Sequence, residues 1–132
     1  MKPSEQRKAL GAAVRAARAA GKLMRLNLRK AKVVNTATAY DIKLELDMRC
    51  QKLIESILRK ALPKIAVLGE EGDSGAVNEE YRWVVDPIDG TVNFAHTIPH
   101  ASVSIALQRQ VTHHKSRITS YETVVGVVFD PF

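Results

Sequence analysis

At 132 residues the chain is long enough to bury a core and short enough for one domain, and 45% hydrophobic with 26% charged residues excludes a disordered or fibrous polymer. No apolar run approaches ~18 residues, so no membrane span is expected; no signal-peptide pattern appears, and the single cysteine, Cys50, fits a reducing, cytoplasmic setting. The net charge of +6 is uneven: residues 1–32 hold ten Lys/Arg and one acid, Glu5, a balance of +9, whereas the rest carries ten and thirteen, a balance of −3.

Ser4 to Lys30 reads as one long helix. Leu10, Val14, Ala17, Gly21, Met24 and Leu28 recur every three or four residues, a narrow stripe suited to close packing on a second helix. Arg15, Arg18, Lys22, Arg25 and Arg29 fall largely off that stripe. They read as a solvated basic face. A nucleic-acid or acidic-membrane surface is a second reading, against which the helix has no aromatics to stack bases or anchor in lipid. An organelle-targeting segment, Arg-rich and poor in acids but here not Ser-rich, is the third. Ala31 to Tyr40 is a polar connector. A second helix is predicted from about Lys43 to Ala61, stopped by Pro63, with Leu46, Cys50, Leu53, Ile54, Ile57 and Leu58 as its apolar face. Cys50 is therefore core filler rather than a nucleophile. Asp41 and Asp47 sit at the start of this helix, where acids suit the macrodipole.

Ile65 to Leu68 is a short apolar strand that ends in Gly69-Glu70-Glu71-Gly72, and Gly72 to Glu80 has the chemistry of a loop. Trp83 to Val85 suit a strand covered on both faces. Pro87 lacks an N–H and is expected to end that strand, leaving Asp86 at its tip. Asp89-Gly90 is a turn pair, and Thr91 is placed as the cap of a short helix. Two carboxylates, a hydroxyl and outward N–H groups in one turn suit a hard cation such as Mg2+ together with a phosphate. If the two strands lie side by side and end at one edge, Glu70 joins Asp86 and Asp89. Two unit charges 4 Å apart repel by ~4 kcal/mol at an effective dielectric of about 20. Three such carboxylates call for protons or a metal.

Past Pro99, Ala101 to Leu107 sets Val103, Ile105 and Leu107 against Ser102, Ser104 and Ala106, the alternation of a half-buried antiparallel strand. Gln108 to Tyr121 reads as a polar loop. Its adjacent His113 and His114 point apart and nothing nearby completes a zinc set. Thr123 to Phe129 is a last strand and Asp130-Pro131-Phe132 a turn. There are no internal repeats.

Gly69-Glu70-Glu71, followed by Trp83 to Phe94 with the core Asp86-Pro87-Ile88-Asp89-Gly90-Thr91, closely resembles the inositol monophosphatase family, the Mg2+-dependent, lithium-inhibited phosphatases. The resemblance implies an α+β fold, a layered α/β/α sandwich with two N-terminal helices on a mainly antiparallel sheet. This chain would be its first half, with residues 1–62 the helical pair and 63–132 the sheet and metal-site loops. The implied reaction is hydrolysis of a phosphate monoester on a small polyol, most directly inositol monophosphate, by metal-activated water. Fructose bisphosphate, histidinol phosphate and phosphoadenosine nucleotide are the neighbouring substrates. A non-catalytic interaction fragment with a basic helix is the reading from a different class.

Carried over residue by residue, Glu70, Asp86 and Asp89 hold two or three Mg2+ through carboxylates and Ile88 through its carbonyl, with Li+ as inhibitor. Glu70 and Thr91 orient the water, with Asp86 beside them as a catalytic group. Asp89, Gly90 and Thr91 meet the phosphate. Asp47 stands behind the direct ligands. Asn93 and His96 cap or pack. The connector at 31–40 matches a loop that orders over the metals and is expected to act as a lid. The family's further Asp ligand, in a Trp-Asp motif opening a helix, has no counterpart in this sequence. The chain is therefore expected to be truncated or completed by a partner, and poorly active alone. An unpaired sheet edge invites association, so a homodimer is expected, with no specific nucleic-acid partner.

Overall fold

The computed structural model describes residues 1–37, 42–75, 80–113 and 118–132. Asp41, His114, Lys115 and residues 76–79 of the expected loop lie outside the described residues. The elements run α1 (Pro3–Asn27), β1 (Val34–Ala37), β2 (Ile42–Leu44), α2 (Glu45–Ala61), β3 (Ala66–Gly69), β4 (Gly72–Ser74), β5 (Tyr81–Asp89), α3 (Thr91–Ala95), β6 (Ser102–His113) and β7 (Ile118–Phe129). The fold is α+β: the two long helices lie against one face of a five-stranded, mainly antiparallel sheet.

Alanine sets the helical layer. Pro3 opens α1, and the Lys2 N–H donates to Glu5 Oε2 at 2.7 Å, closing the first turn. The buried residues are Ala9, Ala12, Ala13, Ala16, Ala17, Ala20, Gly21 and Met24. The buried face is thus turned about a quarter of a revolution from the expected stripe. Ala17, Gly21 and Met24 belong to it, but Leu10 is 45% exposed and Val14 only half-buried. The reason is geometric: α1 lies against α2, β6 and β7 at once, and small side chains let all three approach. Gly21 marks the tightest point, where a Cβ would stand 2.5 Å from a Phe129 ring carbon. On α2, Leu46, Cys50, Ile54 and Leu58 are buried as expected, with Leu53 and Ile57 at the margin. The Leu62 N–H closes the last turn on Leu58 at 2.9 Å before Pro63.

The sheet order is β4-β3-β5-β6-β7. Only β3 and β5 run parallel. Val103, Ile105 and Leu107 face the helices, and Ser102, Ser104 and Ala106 face away, half-buried, which is the expected alternation. β5 behaves the same way. Tyr81, Trp83 and Val85 are buried while Arg82 and Val84 are only half-covered, so the strand is sheltered on one face and not on two. Its far side forms an open apolar cleft with Leu68 and Ala106.

Four boundaries differ from the sequence expectation. Pro87 does not end β5. The strand continues to Asp89 because its register slips by one residue, Asp86 facing Ser104 and Asp89 facing Ser102. A bulge is where a residue without an N–H fits a ladder. Gly72–Ser74 is a strand rather than loop, pairing with β3 from Val67↔Ser74 to Gly69↔Gly72. Val34–Ala37 pairs with β2 as a two-stranded ribbon, so the helical half includes a hairpin and that part of the expected lid is held. The expected loop from Gln108 to Tyr121 is mostly strand: β6 and β7 stay paired out to His113↔Ile118. Polar rungs carry this extension. Arg109 bonds Glu122 at 2.7 Å, and the Arg82 guanidinium lies 3.3 Å from the Tyr121 ring centroid.

Candidate functional site

The parallel pairing of β3 with β5 decides the site. Gly69 lies opposite Val85, and the Glu70 N–H continues the ladder to the Val85 carbonyl at 3.3 Å. Glu70 is thereby brought beside Asp86. Their carboxyl groups hydrogen-bond each other. Burial, then the charge of Glu70 and its hydrogen bond, then the charge of Asp89 push the Asp86 carboxyl up to about 7, against a smaller opposing pull from the Ile88 backbone. Two carboxyls in contact share a proton because both cannot ionise cheaply. Asp86 Oδ1 is buried and has no hydrogen-bond partner.

Asp89 is close enough to raise Asp86 but is itself exposed, past the bulge at the end of β5. Among the described residues, no three Asp, Glu, His or Cys side chains form a closed metal-binding cluster. Of the three carboxylates expected to converge, Glu70 and Asp86 are in contact and Asp89 is exposed at the end of β5.

Gly90 turns the chain after Asp89. Its φ of +95° is left-handed, and a Cβ there would stand 2.8 Å from the His100 carbonyl oxygen. Gly90, not Thr91, is the cap of α3, and Thr91 is the first helical residue. The Thr91 hydroxyl instead donates back to the Ile88 carbonyl at 2.8 Å and stands 3.4 Å from Asp47 Oδ1. The other carboxylate oxygen of Asp47 accepts the Leu44 N–H at 2.7 Å. Asp47, 1% exposed, therefore ties the start of α2 to the Asp89-Gly90-Thr91 turn. Asn93 Nδ2 donates to the His100 carbonyl at 3.0 Å, a packing role, while His96 is exposed. Glu70, Asp86, Ile88, Asp89, Gly90 and Thr91 all line one cleft of about 260 Å³. A second cleft, of about 330 Å³, shares Asp89 and Gly90 and is bordered by His100, Ser102 and Asp130.

One positioning residue escaped the sequence reading. Gln51, 4% exposed on α2, receives the Glu71 N–H on Oε1 at 2.9 Å and gives Nε2 to the Gly72 carbonyl at 2.7 Å and to Glu55 at 2.9 Å. It grips the turn that carries Glu70. Gly69 is required beneath it, since a Cβ there would lie 2.2 Å from the Gln51 amide. The available signal was a polar residue inside the apolar face of α2, between Cys50 and Ile54.

The donor set is oxygen only: two touching carboxyls, a third nearby, the Ile88 carbonyl and a buried Oδ1 lacking a partner. That chemistry suits a hard divalent cation and not zinc or copper. The fold and this oxygen-rich edge define a class in which acidic groups at neighbouring strand ends face a small open cleft. Residues 5–132 match the model of the inositol monophosphatase family, and the chain belongs to that family. It is 39% identical over 127 residues to the Nus factor SuhB of Pseudomonas aeruginosa, covering 92% of this chain and 43% of that one. It is 40% identical over 92 residues to an inositol-1-monophosphatase of Rhizobium meliloti, covering 69% and 31%. The extragenic suppressor protein suhB of Bartonella henselae superposes with a TM-score of 0.78 at 31% identity, over 92% of this chain and 44% of the other. The chain thus spans less than half the length of these relatives.

Proposed function

We propose that this chain carries the cation-binding part of a phosphatase centre that hydrolyses a small polyol phosphate, inositol monophosphate first among the candidates. The observation behind this reading is the contact between Glu70 and Asp86 across the parallel strands, with Asp86 Oδ1 buried and unpartnered. The family of the chain and the name of the Rhizobium relative support it. Glu70, Asp86 and Asp89 are the carboxylates that would hold Mg2+, with the Ile88 carbonyl beside them. When bound, Mg2+ supplies the positive charge that lowers the pKa of water and neutralises phosphoryl oxygens.

The chain's own groups do the rest. Glu70 and Asp86 share a proton, which they would have to release for both to serve as carboxylate ligands. The Thr91 hydroxyl has two acceptors within reach, and a turn from Ile88 toward Asp47 frees the Ile88 carbonyl. With its O–H donated to Asp47, the Thr91 hydroxyl oxygen keeps lone pairs that accept a hydrogen bond from a water and orient it, alongside Glu70. Asp89, Gly90 and Thr91 are the groups that meet the phosphate. Asp47 acts through Thr91. Two or three cations, inhibition by Li+, a homodimer and a cytoplasmic setting belong to the same reading.

The test is Mg2+-dependent phosphate release from inositol monophosphate, fructose bisphosphate, histidinol phosphate and a phosphoadenosine nucleotide. It is run on this chain and on a chain extended with the remainder of a matched relative. Turnover in the extended chain, fastest on inositol monophosphate and lost in Asp86→Asn and Glu70→Gln, is the expected result. Near-normal rates in both variants would remove the mechanism. Equal turnover with and without the extension would refute the expectation that the short chain is poorly active.

A further inference from the structure

The exposed face of α1 carries a row of cations that the carboxylate site does not use. Arg15, Arg18, Lys22 and Arg25, with Arg29 in the turn just past the end of the helix, follow one another at spacings of three and four, and all five are exposed. With Arg7 at the same azimuth, the row lies opposite the alanine face and extends about 27 Å along the helix from Arg7 to Arg25 at 1.5 Å per residue. Among the described residues none of the six pairs with a carboxylate. Only Arg25 has a fixed role, its Nε donating to the Pro131 carbonyl at 3.0 Å.

A merely solvated helix face mixes its signs. α2 does so, with Glu45 and Glu55 interleaved among Arg49, Lys52, Arg59 and Lys60. On α1 the one acid is Glu5, off the row and bound to the Lys2 N–H. Neighbouring like charges three and four apart lower helix stability, and an anionic partner reverses that effect. We propose that this face is a docking strip for the phosphate backbone of a nucleic-acid duplex, engaged without reading base sequence.

The chemistry favours that occupant in three ways. Five of the strip's six members are arginine, whose planar fork matches phosphate oxygens. α1 has no aromatic residue to stack unpaired bases, which disfavours a single strand. Its apolar face is buried against α2 and the sheet, and the exposed Leu10 and Leu26, sixteen residues apart, are too few to anchor it in a bilayer.

Fluorescence anisotropy with labelled mixed-sequence DNA and RNA duplexes tests this, and comparing the two shows which backbone is preferred. If four cations contact phosphates, affinity falls about 150-fold between about 50 and 200 mM salt, and the log–log slope flattens by about 0.9 for each contact removed. The triple variant Arg15→Gln/Arg18→Gln/Lys22→Gln should flatten it by about 2.7. The control Lys52→Gln/Lys60→Gln/Lys64→Gln, exposed on other elements, should leave the slope unchanged. Circular dichroism checks that both variants keep their helices; should the triple variant lose them, Arg18→Gln alone is read instead. Absent binding at the lower salt, equal losses in both triple variants, or tighter binding to phosphatidylserine vesicles than to either duplex would overturn the proposal. The test leaves Glu70, Asp86 and Asp89 untouched and stands apart from the phosphatase reading.

Discussion

Replacing Asp86 with asparagine should stabilise the metal-free protein above neutral pH. The folded state holds the Asp86 proton with a pKa of about 7, against 3.8 for the ordinary carboxyl. Ionising it in the fold, beside Glu70 and Asp89, is what costs free energy. The penalty is absent below about pH 4, builds as pH rises toward 7 and is complete above that. At 1.36 kcal/mol per pH unit the whole difference corresponds to ~4 kcal/mol. Asp86 is only half-buried, and solvent screening reduces this to roughly 2 kcal/mol. The substituted asparagine would keep a hydrogen bond to Glu70 through its amide and carry no charge. Urea unfolding of the two proteins at about pH 4 and about pH 8.5, without divalent cations, measures the effect. The variant should match the wild type at the lower pH and exceed it by roughly 2 kcal/mol at the higher. A variant less stable at high pH, or a difference independent of pH, would refute the reasoning.

Two further outcomes follow from the packing around the site. Gln51→Leu strands the Glu71 N–H and the Gly72 carbonyl, and should cost about 2–4 kcal/mol in urea unfolding; a loss below about 0.5 kcal/mol would mean that the clamp is not what holds the turn. Burial, then the charge of Asp47, push the Cys50 thiol up to about 12, so a thiol reagent at neutral pH should label Cys50 only as fast as the protein unfolds. Rapid labelling of the folded protein would show that this packing is wrong.

What the sequence revealed follows from where local chemistry and tertiary structure agree. Acidic turns after two apolar runs announced the site, because a short strand and a carboxylate at its end are both local features. Parallel pairing then set Glu70 beside Asp86. Pro87 misled because a bulge, which only the partner strand reveals, let β5 run on to Asp89. The strand extension beyond Gln108 was hidden for a related reason: apart from Val111 and Ile118 its rungs are Gln, Arg, Glu, Thr, Ser, Tyr and His, polar residues that look like loop until paired across strands. On α1 the rule that larger apolar residues mark the buried side failed, since contact with three neighbours selects alanine and leaves Leu10 outside. Gln51 was lost in the apolar face of α2, where its polarity was itself the clue.

The central claim is that Glu70 and Asp86, brought together by two parallel strands, form the seat of a divalent cation. Calorimetric titration of Mg2+ near neutral pH, repeated in buffers of different ionisation enthalpy, addresses it most directly. The account predicts binding accompanied by proton release from the wild type, weakened by more than about tenfold in Asp86→Asn and in Glu70→Gln. Equal Mg2+ affinity in all three proteins, with heats that do not depend on the buffer, would contradict it.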